Sequence, residues 1–444
     1  MLETVNKNSN YLCKVVKLEG VRKHSNADRL QVLEVGMNTV ITGLDAKDGD
    51  MYVYFPIESK ISEDFLSHTN SFRDKEKNAD PSETGFFEAN CRVRAMNLRG
   101  ERSMGYIVPA RLVEQWAMSD NFDSLEVGQE FDTINGKLLV EKYQAPVKER
   151  GITISNGKKP RLSRLVEGQV NLHVKTKNLR HTPDAIQPHD TVSITYKTHG
   201  TSWWVGNLIV KRKLSLLERL LSKFGVSISE TVYDLVYGSR NVVKNKSFED
   251  PKGKDHFFGY DLWEDIKNEV GAAIPKGWTL YGELVGYDRN GGQIQKGYDY
   301  GCSPDAGSLS NKLQVYRITN TTPDGLVTEL SFPEIKEFCD TNGLDTPHLF
   351  FYGKIGDWLF ENSSIVSHVD RFSSEFSKYF VGALQVAYNE KDCFMCTNKV
   401  PEEGIVIRKE RLIGCESYKL KSFRFLEWET KQLDNNESNI EDEN

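Results

Sequence analysis

Cysteine is scarce in this chain: seven residues in 444, an odd number scattered from Cys13 to Cys415. That usage does not read as a disulfide framework and points to free thiols in a reducing compartment, cytoplasm or nucleus. The one close pair, Cys393-Phe394-Met395-Cys396, has no second pair or His-x-x-x-His near it, and only Cys415 besides, so a structural zinc site is disfavoured. Runs of about 18 apolar residues are also absent, and Met1-Leu2-Glu3-Thr4-Val5-Asn6-Lys7 holds no apolar segment of the signal-peptide kind. Neither a membrane span nor secretion is expected. Positive charge is not in excess, and a net charge of −7 excludes a uniformly basic coat. A nucleic-acid partner therefore has to be held by local basic patches. Oligomeric state is not readable.

With 38% hydrophobic and 27% charged residues, the chain reads as globular, and at roughly 150 residues per domain it holds two or three. The first unit, 1–142, shows short strands at Tyr11 to Leu18, Leu30 to Val35, Thr39 to Thr42, Met51 to Phe55, and Cys91 to Met96 running on to Val108. Turn residues such as Asp48-Gly49-Asp50 separate them, and no helical period lies between, which predicts a small barrel. His24-Ser25-Asn26-Ala27-Asp28-Arg29-Leu30 and Leu98-Arg99-Gly100-Glu101-Arg102-Ser103-Met104-Gly105 resemble motifs of OB-fold modules, which bind nucleic-acid strands. Arg92, Arg94, Arg99 and Arg102 are then the candidate RNA phosphate contacts. The polar stretch 62–89 is expected as an inserted mobile surface loop. Residues 143–165, with Lys148, Arg150, Lys158, Lys159, Arg161 and Arg164, read as a basic linker. The second unit spans 166–432. Its clearest helix signal is 214–224, apolar at 214, 217, 220, 221 and 224 and closed by Gly225. Strands alternate with helical stretches beyond it, so the overall class is α+β with antiparallel sheets. An acidic tail, 433–444, is expected to be disordered.

The second unit is organised around Thr195-Tyr196-Lys197-Thr198-His199-Gly200-Thr201-Ser202. The run Thr191 to Tyr196 alternates as a strand, Gly200 permits a tight turn, and a second strand follows from Trp203 to Lys211. This puts Lys197 at a strand end facing a cleft, with Tyr196 turned away. Lys197-Thr198-His199-Gly200 resembles the active-site motif of the covalent nucleotidyltransferases, the superfamily of ATP-dependent ligases and mRNA capping enzymes. Companion segments follow in the superfamily's order: Ser239-Arg240-Asn241, Tyr281-Gly282-Glu283-Leu284-Val285-Gly286, Leu313-Gln314-Val315-Tyr316-Arg317-Ile318, Glu403-Gly404-Ile405-Val406-Ile407-Arg408, and Lys419-Leu420-Lys421.

The resemblance implies a role for each. Lys197 is the nucleophile; at neutral pH only on the order of one lysine in a thousand is unprotonated, so cationic neighbours or a metal ion must lower its pKa. Glu403 is the metal-binding acid, for Mg²⁺ or Mn²⁺, with Glu402 facing away beside it. Glu283 sits near the ribose or the metal, Tyr316 stacks on adenine, Arg240 forks onto an RNA 5′-phosphate, and His199 contacts the outer phosphates of ATP or braces the turn. Lys419 and Lys421 are both catalytic and nucleotide-binding; they are expected on opposite strand faces, or on a bent strand, and hence in distinct roles. His199 in place of the aspartate common in K-x-D-G enzymes, an OB-like unit in front of the core, and Gln295-Lys296-Gly297-Tyr298-Asp299-Tyr300-Gly301-Cys302 resemble the RNA ligase branch with an N-terminal OB domain. The implied activity is joining of 3′-OH and 5′-phosphate RNA ends, nicked duplexes foremost, through lysyl-AMP. A DNA ligase, a GTP-using capping guanylyltransferase and a non-catalytic RNA-binding protein are the alternatives.

Overall fold

The alternating run around Thr191 does form a strand, Thr191–Tyr196, and it sends Val192 and Ile194 into a core with Trp358, Phe380, Ile405 and Ile407. Burying a Val or Ile side chain stabilises by about 1.5–3 kcal/mol, which pins the register of the residues that follow. A computed structural model describes residues 1–5, 9–117, 124–144, 163–248, 258–305, 307–362, 376–388 and 390–434. Two five-stranded sheets make up the second unit. One runs in the order Lys177–Asn178, Glu416–Lys421, Gly404–Lys409, Thr191–Tyr196, Leu349–Lys354, antiparallel except for its first pair. The other runs Thr231–Gly238, Thr201–Lys211, Trp278–Gly286, Asn311–Thr321, Val327–Glu329 and is antiparallel throughout. The α+β expectation holds, with helices such as Leu262–Val270 and Phe332–Asn342 packing on the second sheet.

The first unit places Cys13–Lys17, Gln31–Val35, Asn38–Thr42 and Met51–Phe55 within two residues of the expected bounds. These strands do not close into a ring among the described residues. The unit's strands divide into a four-stranded sheet, two three-stranded sheets and two two-stranded pairs. Pairing breaks at Gly105, whose φ of 152° and approach to Tyr54 admit no side chain: a Cβ there would lie 2.2 Å from the Tyr54 ring. The stretch 62–89 is not a loose loop. It contains the helix Glu63–His68, capped by Ser62, and buries Phe65, Leu66, Phe72 and Phe87 in the unit's core. A second helix, Ala110–Ala117, stacks Trp116 edge-on against Phe65.

The C-terminal helix Phe423–Asp434 crosses between the units, adding Phe423 and Leu426 to the N-terminal core. It runs to Asp434, so residues 433 and 434 belong to the helix and not to a tail; 435–444 lie outside the described residues, as does most of the basic linker, 145–162. The helix predicted over 214–224 is present as Leu216–Lys223, with a capping box between Ser215 and Glu218. Its apolar face stays in solvent: Leu217 and Phe224 are 66% and 78% exposed. No helix among the described residues is long and apolar enough to cross a membrane.

Candidate active site

Residues 197–200 are the crossover from one five-stranded sheet to the other, since Thr191–Tyr196 belongs to the first and Thr201–Lys211 to the second. The turn is fastened at Lys197, His199 and Gly200. The Lys197 amide donates to the Gly404 carbonyl at 2.8 Å. The His199 amide donates to the Tyr300 hydroxyl at 2.6 Å, and Gln295 Nε2 donates to the Gly200 carbonyl at 2.8 Å. Thus the segment 295–302 is the platform on which the lysine turn rests. Gly200 is glycine for closeness and not for a left-handed φ: a Cβ would stand 2.2 Å from the Leu284 carbonyl oxygen.

Lys197 and Thr198 line a cleft of about 930 Å³, its open mouth included, together with His173, Ser202, Arg240, Glu283, Tyr316, Arg317 and Arg408. Tyr196 also contributes to the wall, although its ring packs against Phe350 and Phe394. Four of the expected residues, Lys197, Arg240, Glu283 and Tyr316, therefore share one cavity. Glu283 accepts a hydrogen bond from Ser202 Oγ at 3.0 Å. The Tyr316 hydroxyl is hydrogen-bonded to His173 Nδ1 at 2.6 Å. Burial, with Arg240 and Arg317 nearby, pushes His173 down to about 3, so this imidazole is neutral.

Glu403 is buried behind the cleft with Oε1 2.7 Å from Lys197 Nζ and Oε2 3.9 Å from His199 Nδ1. Glu402 turns the other way, toward Cys393; burial, then Cys393 and Glu403, raise it to about 9. His199 is only 4% exposed and meets Tyr298, Phe425 and Trp428 edge-on. That cage matches the bracing role more than an outer-phosphate contact. Lys419 and Lys421 lie on Glu416–Lys421, opposite Tyr418 and Leu420, which enter the core. The expectation of opposite faces was mistaken, because side chains two residues apart on a strand share a face; no bend is needed. Their roles still differ. Burial, reinforced by Lys421, Arg240 and Lys197, lowers Lys419 to about 8. Lys421 is held by Glu58 at 2.8 Å and Glu429 at 3.2 Å.

The arginines expected to touch RNA fall into two groups. Arg92 is buried, donates to Thr430 Oγ1 at 3.3 Å and stacks over Tyr143; it pins the C-terminal helix and does not face solvent. Arg94 pairs with Asp434 at 3.4 Å, and Arg102 pairs with Glu390 at 2.8 Å while covering Phe423. Arg99 alone is exposed, its guanidinium bonded to the Asn26 carbonyl at 3.2 Å.

No protein-family model and no curated protein matches the sequence. Solved structures do match its fold. Naegleria gruberi RNA ligase with PPi aligns at a TM-score of 0.56 and 15% identity, over 95% of this chain and 99% of that one. A variant of that ligase with AMP and Mn aligns at 0.54 and 14%, over 94% and 98%. Another with ATP and Mn aligns at 0.53 and 14%, over the same shares. The chain has the fold of an RNA ligase.

Within this ligase fold no group of three His, Cys, Asp or Glu side chains forms a closed metal site among the described residues. A hydrated Mg²⁺ or Mn²⁺ does not require one, since one or two carboxylates and the substrate phosphates suffice. Glu403 Oε2, buried without a hydrogen-bond partner, is a fitting donor. His173, Glu58 and Glu429 escape a reading by motif. Glu58 reaches Lys421 across 363 positions, whereas Glu429 stands only eight residues beyond it, and only Gln295 to Cys302 carried a signal of its own.

Proposed function

We propose that the protein is an ATP-dependent RNA ligase joining 3′-OH and 5′-phosphate RNA ends, nicked duplexes foremost, through lysyl-AMP and an AMP-capped RNA end. The observation that carries this reading is Lys197, placed on an inter-sheet turn at the wall of a cleft shared with Arg240, Glu283 and Tyr316, with Glu403 at 2.7 Å. The similar ligases were obtained with ATP, AMP or PPi, which supports a nucleotide in that cleft.

In the first step the Lys197 Nζ attacks the α-phosphorus; the P–N bond forms as the bond to pyrophosphate breaks. Glu403 Oε1 is the nearest base for the proton that Nζ sheds. Lys419 and Arg240 gather positive charge where the phosphates would lie, and cations fixed in a water-poor site stabilise the in-line transition state. Tyr316, steadied by His173, offers its ring to adenine. AMP then passes to an oxygen of the RNA 5′-phosphate, placed by Arg240, and the 3′-OH displaces it. A bound Mg²⁺ or Mn²⁺ on Glu403, with Glu283 as second candidate, would offset charge on the phosphate oxygens. The first unit serves as the OB-type RNA-binding module, with the exposed Arg99 among its cations, and the protein works in the cytoplasm or nucleus.

Radiolabelled ATP with Mg²⁺ or Mn²⁺ is expected to label the protein covalently at Lys197. Label that persists in Lys197→Ala overturns the mechanism, and stronger labelling by GTP supports a capping-type enzyme. Sealing of an RNA nick in preference to an all-DNA nick is expected, and the reverse preference identifies a DNA ligase.

A further inference from the structure

The motif Cys393-Phe394-Met395-Cys396 has no place in the mechanism above, yet it is built into the back of the site. The Cys396 amide donates to the Cys393 carbonyl at 3.3 Å, closing a tight turn, and the Cys393 amide is fixed to the Val400 carbonyl at 2.8 Å. A turn of this kind brings its first and fourth Cα within about 7 Å, close to the span of about 4.4–6.8 Å that a disulfide bridges. The neighbouring Cys393 thiol holds Cys396 below the ordinary thiol range. Cys393 is buried, whereas Cys396 is half-buried and so reachable by a small oxidant.

Every side of this turn meets an element that carries the active site. Phe394 packs on Tyr196, the residue before Lys197, with ring centres 4.9 Å apart. Cys393 and Cys396 pack with Tyr300, whose hydroxyl holds the His199 amide. The strand Gly404–Lys409, which Glu403 immediately precedes, is entered through Val400 and through the Glu402 amide, which donates to the Lys391 carbonyl at 3.0 Å. Asp299, two residues before Gly301, receives the Thr397 and Asn398 amides at 2.8 and 2.9 Å. Moving the turn moves supports of Lys197, His199 and Glu403 together.

We propose that Cys393 and Cys396 form a reversible dithiol–disulfide site, oxidised by hydroperoxides, that controls the geometry of the Lys197 turn. The Cys396 sulfur attacks a peroxide oxygen; the O–O bond breaks, and a sulfenic acid forms with release of water. The Cys393 sulfur then attacks Cys396, the S–S bond forms, and the hydroxyl leaves as a second water with the Cys393 proton. Two electrons pass from the thiol pair to the peroxide, and a dithiol reductant reverses the reaction. The consequence for nucleotide transfer rests on the ligase reading; the disulfide itself does not.

The test uses the full chain treated with hydrogen peroxide. Peptide mass mapping is expected to find a Cys393–Cys396 bond, two hydrogens lighter than the dithiol and restored by dithiothreitol. Covalent AMP labelling is expected to fall roughly tenfold to a hundredfold, the scale on which a displacement of about 1 Å acts, and to recover on reduction. Cys396→Ser, at the half-buried position, is expected to keep its labelling after peroxide. The proposal is overturned if the 393–396 bond does not form, or if peroxide silences Cys396→Ser as fully as the parent. Should the reduced protein take no label at all, the ligase reading fails; a mapped bond accompanied by a change in emission from Trp428, which packs against the same cluster as Cys396, then still supports the thiol site, and its absence defeats it.

Discussion

Lys421 Nζ lies 2.8 Å from Glu58 Oε1, although the two residues are 363 positions apart. Glu58 arrives from the first unit with a left-handed φ of 63°, a conformation that costs a non-glycine residue on the order of 1 kcal/mol or more. The contact therefore ties a strained residue of one unit to a motif lysine of the other. Two carboxylates, Glu58 and Glu429, share that lysine: Lys421 and Lys419 hold Glu58 below the usual carboxylate range despite its burial, while burial raises Glu429.

Replacing Glu58 by Gln is expected to lower stability at pH 7 by about 2 kcal/mol, the scale of a hydrogen bond to a charged group. A depressed folded pKa contributes stability that is present above the unfolded value, about 4.3, and is lost as pH falls through the folded value. Urea titrations of parent and Glu58→Gln should therefore differ fully at pH 7 and begin to converge only below about pH 4, the gap closing as pH falls toward the depressed folded value. A gap that persists unchanged in acid counts against the ion pair.

Lys419 sits at about 8 in the unliganded site, so its charge is present below pH 8 and lost above. The value of kcat/KM for ATP in the labelling reaction is expected to show an alkaline limb near pH 8. Lys419→Arg, whose charge persists, should remove that limb while lowering the rate.

Gly200→Ala is expected to cost about 1–3 kcal/mol, as overpacking does, because the neighbour 2.2 Å away is the Leu284 carbonyl and not a flexible side chain. The turn moves with it, so AMP labelling should drop more than thermal stability alone explains. Calorimetry together with labelling below the melting range separates the two effects.

Tyr300→Phe removes the acceptor of the His199 amide and leaves a buried N–H unpaired, at about 1–3 kcal/mol. Its melting temperature should fall by several degrees and its labelling rate should decline.

Arg92→Met and Arg99→Ala should separate cleanly. The buried Arg92 supports the C-terminal helix, so its loss is expected to destabilise the fold by about 2 kcal/mol. Loss of exposed Arg99 should change stability by no more than about 0.5 kcal/mol and weaken RNA binding in a salt-dependent manner. A filter-binding titration at two salt concentrations, paired with a melt, checks both.

What was legible from sequence follows the range of the interactions. The strand Thr191–Tyr196, the turn after it and the ordered motifs are local patterns, and they led to Lys197, Arg240, Glu283 and Tyr316 around one cleft. Glu58 was invisible because nothing near it in sequence announces its partner at Lys421. Arg92 read as a surface cation because sequence does not show Thr430 and Tyr143 closing over it. The stretch 62–89 read as a loop on its polar residues, whereas four aromatic and aliphatic residues within it decide its burial. The amphipathic pattern at 214–224 did give a helix, but periodicity reports an apolar face and not what covers it.

The crossing of Phe423–Asp434 into the first unit has a consequence for how the protein is made. Phe423 and Leu426 complete a core whose other members lie before residue 141. At roughly 5–20 residues per second, the ribosome takes roughly 15–60 s to pass from one to the other. During that interval the first unit exposes the apolar surface that the helix later covers. A nascent chain stalled before Phe423 should therefore engage chaperones and resist compaction, and the clasp on Lys421 can close only once the whole second unit has emerged.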